Sequence, residues 1–212
     1  MFSQNRTIDK DNKPFIIRGT IGIPKSISSN QFRTSFNGLY EGSLSVNFKL
    51  FNNTYIGVGY QSVNFQNNKF LKYKVFAASV PYNTHLIGNN PFVHLGFDKF
   101  YKSNFYMHYA INYGFMLGQF TNVNEDTTAY NKPFGSKKFT AQFVQPEVSA
   151  NFIVEENLGF CVYLAYSTLF SKYDPKSPRF NQFEEVRDKS NNYYMSWVTF
   201  GFGFNVLLGK NK

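Results

Sequence analysis

Two stretches of strict two-residue alternation constrain this chain more than any other feature. Between Phe105 and Gly118, one parity carries Phe105, Met107, Tyr109, Ile111, Tyr113, Phe115 and Leu117. The other carries Tyr106, His108, Ala110, Asn112, Gly114, Met116 and Gly118. Between Trp197 and Leu208, Val198, Phe200, Phe202, Phe204, Val206 and Leu208 alternate with Trp197, Thr199, Gly201, Gly203, Asn205 and Leu207. A period of two is that of a β-strand, whose successive side chains point to opposite faces. Each run exceeds the roughly 5–6 residues typical of soluble strands and matches the about 9–11 that cross a bilayer at a tilt.

Weaker runs repeat the pattern. Phe15, Ile17, Ile21 and Ile23 oppose Arg18 and Thr20, and Leu44, Val46, Phe48 and Leu50 oppose Ser45, Asn47 and Lys49. Val93, Leu95 and Phe97 oppose His94, Gly96 and Asp98, and Val144, Pro146, Val148 and Phe152 oppose Gln145, Glu147, Ser149 and Asn151. A soluble sheet would bury its aromatic face against a second layer, yet no amphipathic helical pattern is available to cover these faces. Aromatic residues make up 20% of the chain and charged residues only 17%, against roughly 25% charged in a typical globular protein. Mean hydropathy is nevertheless −0.35, and no segment approaches the roughly 18 apolar residues of a membrane helix. Apolar positions interleaved with polar ones fit a wall with lipid on one side and a narrow lumen on the other. The fold class expected is all-β, an antiparallel transmembrane β-barrel of eight strands, with ten as the alternative. Phe105, Tyr109, Tyr113, Phe200, Phe202 and Phe204 are then expected to face lipid.

The connections sort into two kinds. Phe51 to Thr54, Tyr101 to Asn104 and Glu155 to Asn157 are short and rich in turn formers. Long polar stretches near 25–40, 66–90, 121–138 and 171–191 separate them. Short turns alternating with long loops is the asymmetry of outer-membrane barrels, with periplasmic turns and extracellular loops. Residues 70–80 also read as strand, which would make an odd number of crossings. Residues 66–90 are therefore expected outside the membrane as an extended loop or hairpin, with Pro81, Asn83 and Gly88-Asn89-Asn90-Pro91 marking a break. Residues 1–13 are assigned to a periplasmic segment, 14–209 to the barrel and 210–212 to a basic tail, with both termini periplasmic.

The net charge of +9 has a location. Lys25, Arg33, Lys69, Lys72, Lys74, Lys132, Lys137, Lys138, Lys172, Lys176 and Arg179 lie in or beside the proposed extracellular loops, where lipopolysaccharide phosphates are the nearest anions. No aromatic platform of an RNA-binding module is recognisable, so nucleic acid is not expected as a partner. The single cysteine, Cys161, sits between Phe160 and Val162 and reads as a packed thiol.

The last strand resembles the β-signal read by barrel-assembly machinery: Thr199, Gly201, Phe204 and Val206 match a polar residue, a glycine and two spaced hydrophobics. The chain departs from the proteobacterial form by continuing through Leu207, Leu208 and a basic tail with no terminal aromatic. Gly96-Phe97-Asp98-Lys99-Phe100-Tyr101, Gln145-Pro146-Glu147-Val148 and Trp197-Val198-Thr199-Phe200-Gly201-Phe202-Gly203 resemble phrases of a group of Bacteroidota outer-membrane barrels, small and of the OmpA/OmpX kind. Met1-Phe2-Ser3-Gln4-Asn5 resembles the tail of a signal peptide from that phylum, so residues 1–4 are read as a candidate remnant of one. The resemblance implies the fold and a place in the bacterial outer membrane. It carries over no catalytic residues.

A lipid-modifying hydrolase would need a serine activated by a histidine that a carboxylate orients. The three histidines, His85, His94 and His108, stand in no His-x-Ser arrangement, leaving only a cross-strand constellation with Glu147 as carboxylate and Ser149 as nucleophile. No catalytic residue is assigned. Arg18, His94, Asp98, His108 and Glu147 are instead expected to form a satisfied polar network in a lumen that side chains fill. No ligand spacing points to a metal, and no cofactor is implied; Asn122, Asn124, Glu125 and Asp126 read as a solvated loop rather than a calcium site. Phe70, Lys72, Tyr73, Lys74 and Phe76, with the acidic step at Glu184 and Glu185, are the candidate partner contacts. Three functions are carried forward: an accessory subunit of a larger outer-membrane complex, a narrow channel or binder of small apolar molecules, and a lipid-modifying enzyme. The first is favoured.

Overall fold

The structure is a computed structural model, and it describes residues 14–28, 30–67, 71–75, 78–123, 136–172 and 194–209. In chain order these form β1 (Phe15–Ser26), α1 (Asn30–Ser35), β2 (Phe36–Phe51), β3 (Thr54–Asn67), β4 (Leu71–Val75), β5 (Ala78–Lys102), β6 (Phe105–Val123), β7 (Lys137–Glu155), β8 (Leu158–Lys172) and β9 (Tyr194–Leu208). The strands lie in the order β3-β2-β1-β9-β8-β7-β6-β5, and β3 also pairs with β5. Every one of these pairings is antiparallel. Eight strands therefore close into a barrel with no free edge, which is how a sheet satisfies its backbone in lipid.

Alternation sets the wall. Along β6, Tyr109, Ile111, Tyr113, Phe115 and Leu117 are exposed, while His108, Asn112, Gly114, Met116 and Gly118 are buried. On β9, Phe200 and Phe202 are 64% and 67% exposed, whereas Thr199, Gly201 and Gly203 point inward. Phe204 is less exposed, at 43%, because its ring lies over Gly19: a Cβ there would come within 2.6 Å of Phe204 Cζ. An aromatic ring covering a glycine on the neighbouring strand fills the gap the missing side chain leaves. Phe105 is half-buried, its ring tilted against Phe152 at 5.0 Å and near Tyr101 at 6.0 Å.

Pro14 and Gly209, where the described residues begin and end, and three tight turns share one end of the barrel, here the terminal end. Asn52-Asn53, Ser103-Asn104 and Glu156-Asn157 make those turns, and Asn52 takes a φ of 45°, a left-handed value that asparagine tolerates better than most residues. The other connections all leave from the opposite, far end. There β5 outruns its neighbours, and its first residues pair with β4, Leu71 opposite Tyr82 through Val75 opposite Ala78.

Residues 83–90 are therefore barrel strand and not part of a loop or hairpin, which corrects the expectation from sequence. Among the described residues, 71–75 and 78–82 pair as an overhanging two-stranded ribbon; from Asn83 the chain pairs with β6, and from His85 with β3 as well. The cluster Gly88-Asn89-Asn90-Pro91 does not break the strand. Asn90 faces inward and donates to Gln61 Oε1 at 2.6 Å. Pro91, which has no N–H to give, sits where the β5–β6 ladder skips from Asn89 to Phe92.

Three layers fill the lumen. At the far end Phe32, Phe36, Phe65, Met116, Phe143 and Trp197 belong to an apolar cluster. At the terminal end Ile16, Tyr55, Tyr106, Ile153 and Leu207 form a second. Between them lies a polar layer.

Candidate functional site

The polar layer is built from inward positions of seven strands and consists of two hydrogen-bonded groups. In the first, Arg18 of β1 ion-pairs with Glu147 of β7, and its Nη2 also donates to Ser149 Oγ at 3.0 Å. Asn151 Nδ2 donates to the same Ser149 oxygen at 3.0 Å, and Asn205 Nδ2 donates to Asn151 Oδ1 at 2.7 Å. The second group starts at Asp98 of β5, whose Oδ1 lies 2.6 Å from His108 Nδ1 on β6. The His108 ring stacks on His94 with centroids 5.3 Å apart and planes within 3°. His94 Nδ1 is 2.7 Å from Asn112 Oδ1, Asn112 Nδ2 donates to Gln145 Oε1 at 2.9 Å, and Gln145 Nε2 donates to Glu41 Oε1 at 3.0 Å and Ser167 Oγ at 2.9 Å. Glu41 Oε2 accepts from Trp197 Nε1 at 2.6 Å and from Thr199 Oγ1 at 2.8 Å.

Local sequence explains why these groups can meet. Gly96 lies on β5 midway between His94 and Asp98, and a Cβ there would stand 2.5 Å from His108 Cε1 and 2.8 Å from His94 Nε2. Only a residue without a side chain lets the two imidazoles stack against that stretch of wall. Gly201, similarly, faces Tyr163 across the β8–β9 ladder.

Arg18, His94, Asp98, His108 and Glu147 thus all face the lumen but divide between the two groups. Glu41, Asn112, Gln145 and Trp197 belong to the same layer and were missed. Glu41 stands in the run Tyr40-Glu41-Gly42-Ser43, where polar and small residues on both parities hide which face is inside. An acidic residue on a strand predicted to cross a membrane was the available signal.

Of the other predicted residues, Tyr109, Tyr113, Phe200, Phe202 and Phe204 lie on the outer wall, with Phe105 half-buried beside it. Thr199 and Gly201 face inward, and Phe204 and Val206 outward. Lys72, Tyr73 and Lys74 lie on β4; Phe70, Phe76, Glu184 and Glu185 fall outside the described residues, as do Asn124, Glu125 and Asp126.

The chemistry available is that of a largely hydrogen-bonded network, in which His94 Nε2 and His108 Nε2 are buried with no hydrogen-bond partner, a departure from the satisfied network expected from sequence. Ser149 and Glu147 are joined through the Arg18 guanidinium, not through an imidazole, and His108 is engaged by Asp98. A serine nucleophile needs its base on the hydroxyl. Among the described residues no three His, Cys, Asp or Glu side chains gather closely enough to hold a metal ion. One cavity beside Arg18, Asp98, Tyr106 and His108 measures about 10 Å³, about the space of a single water. A larger concavity of about 260 Å³ opens on the outer wall at Pro146, Val148, Leu164, Tyr166 and Val198, where Pro146 interrupts the β7–β8 ladder.

No protein-family model matches the chain, and no curated protein does. Solved structures do. Neisserial surface protein A overlays with a TM-score of 0.51 at 13% identity, covering 92% of this chain and 97% of that one. The outer membrane protein OprG from Pseudomonas aeruginosa overlays with a TM-score of 0.51 at 12% identity, again over 92% and 97%. The fold is that of an outer-membrane β-barrel. At such identity the likeness extends to the fold alone, so activity has to be argued from the layers of the lumen and from the far end.

Proposed function

We propose that this protein is a non-enzymatic, non-conducting barrel of the bacterial outer membrane that serves as an accessory subunit of a larger outer-membrane complex. One observation carries the reading: the lumen is filled from end to end, apolar at both ends and hydrogen-bonded between. A barrel with no passage works through its surfaces. Among the described residues the far end departs most from a plain wall, because β5 spans 25 residues and carries the β4 ribbon beyond its neighbours. Lys72, Tyr73 and Lys74 put aromatic and basic residues together on that ribbon, a mixture suited to a protein interface. The tight turns, and the barrel end at which both termini are expected, then lie on the periplasmic side, and the ribbon faces outward towards lipopolysaccharide and partner. The resemblance of three sequence phrases to Bacteroidota outer-membrane barrels supports the same location.

The test replaces residues 71–82 by a two-residue turn and follows the native complex in mild detergent. Heat-modifiable gel migration should show the barrel still folded, while the high-mass band seen with the native protein disappears. A shortened form that keeps every partner would refute the role of the ribbon; a native protein that migrates only as a monomer would refute the accessory reading itself.

A further inference from the structure

The far-end layer of the lumen contains a side chain that does not belong to the wall. Phe65, Leu86, Met116, Phe143 and Trp197 are inward positions of the strands, all fully or almost fully buried. Phe32 is not: it stands on α1, the six-residue helix between β1 and β2, and it is 0% exposed. Its ring packs at 5.3 Å from Phe65 and 5.6 Å from Phe36, and Phe65 in turn packs edge-on to Trp197 at 5.5 Å. The wall therefore presents an apolar, partly aromatic recess, and one phenyl ring from a loop occupies it.

Helix α1 is built to hold that ring by contact. A helix of six residues cannot sustain itself in water, since nucleation outweighs so few backbone hydrogen bonds. No acidic side chain supports its first turn. The segment before it is tied down: Ile27 N donates to Ser196 O at 3.0 Å, and Ser26 Oγ to Phe36 O at 2.5 Å. The loop is thus pinned at its base, and the helix beyond it buries Phe32 in the lumen. A ligand of similar apolar area can match what the burial of one Phe side chain contributes.

We propose that the far-end lumen is a binding site for a small, neutral, ring-sized apolar molecule, and that Phe32 of α1 occupies this site when the ligand is absent. Ligand and Phe32 compete, so binding displaces α1 and exposes its segment at the far end. This goes beyond the accessory role and stands without it, because it concerns the recess and not the ribbon.

The chain carries its own reporters. Met116 and Met195 lie in the far-end layer, whereas Met107 lies on the outer face of β6. Toluene titrated into micelle-embedded protein labelled at the methionine methyl carbons partitions into detergent and reaches Met107 in proportion to its concentration. Binding in the recess instead shifts Met116 and Met195 along a saturating curve. In the native protein both should saturate, and in Phe32→Ala they should saturate at roughly tenfold lower toluene, since the competing state is gone. Phe32→Leu, which keeps an apolar anchor, covers the case of an unfolded alanine variant and should give an intermediate affinity. Linear shifts at all three methionines in native protein and variants overturn the proposal. Saturation in Phe32→Ala alone overturns it too, because it would mark an engineered cavity and not a native site.

Discussion

Replacing Glu41 by leucine tests the polar layer at its least legible point. The side chain is 2% exposed and accepts hydrogen bonds from Trp197, Thr199 and Gln145. Leucine keeps most of the volume and accepts nothing, so three buried donors lose their partner. Each orphaned donor costs about 1–3 kcal/mol, and because Gln145 keeps its bond to Ser167 the two remaining orphans put the total near 2–6 kcal/mol. Glutamine is the control. Its amide oxygen, placed where Oε2 stands, still serves Trp197 and Thr199, and only the bond from Gln145 is lost, at about 1–2 kcal/mol. Adding Thr199→Val to Glu41→Leu removes one of the orphans and should recover about 1 kcal/mol. Trp197 is the only tryptophan of the chain, so its emission reports urea unfolding in lipid vesicles directly, with midpoints and slopes read together. Equal stability of the leucine and glutamine variants, or a leucine cost below about 1 kcal/mol, would refute the hydrogen-bonded role assigned to Glu41.

Reconstituted in planar bilayers, the protein should show no steady conductance; stable single-channel steps would mean that the three layers do not seal the lumen. Phe202→Lys places a charge on the lipid face and should cost about 2–4 kcal/mol near mid-membrane, whereas Gly201→Lys should yield no heat-modifiable barrel, because a Cβ there already meets Ile21 O at 2.2 Å. Normal insertion of both variants would overturn the assignment of faces on β9. Gly96→Ala should lower stability by about 1–3 kcal/mol by pushing the stacked imidazoles apart, and an unchanged urea midpoint would show that the stack does not rest on Gly96.

On the strongly alternating strands, which residues point outward and which inward was written in the sequence by itself, because strand parity is a local property; in the run around Glu41 it was not. Once Tyr109 points outward, Asn112 and Met116 must point inward, whatever the remainder of the chain does. The number of strands followed from the same parity together with the spacing of turn formers such as Asn52-Asn53 and Ser103-Asn104. Where β5 begins did not: Gly88-Asn89-Asn90-Pro91 has the composition of a break, and pairing on both sides by β3 and β6 overrides it. The companions of each inward residue were decided only by tertiary structure. Glu41 and Trp197 are 156 positions apart and meet because closure brings β2 and β9 to either side of β1, with a strand stagger that sets them at one height. The same closure gathers Phe65, Met116, Phe143 and Trp197 at one end and leaves a recess for Phe32. No single strand encodes that grouping, since it depends on the register of every pairing around the barrel.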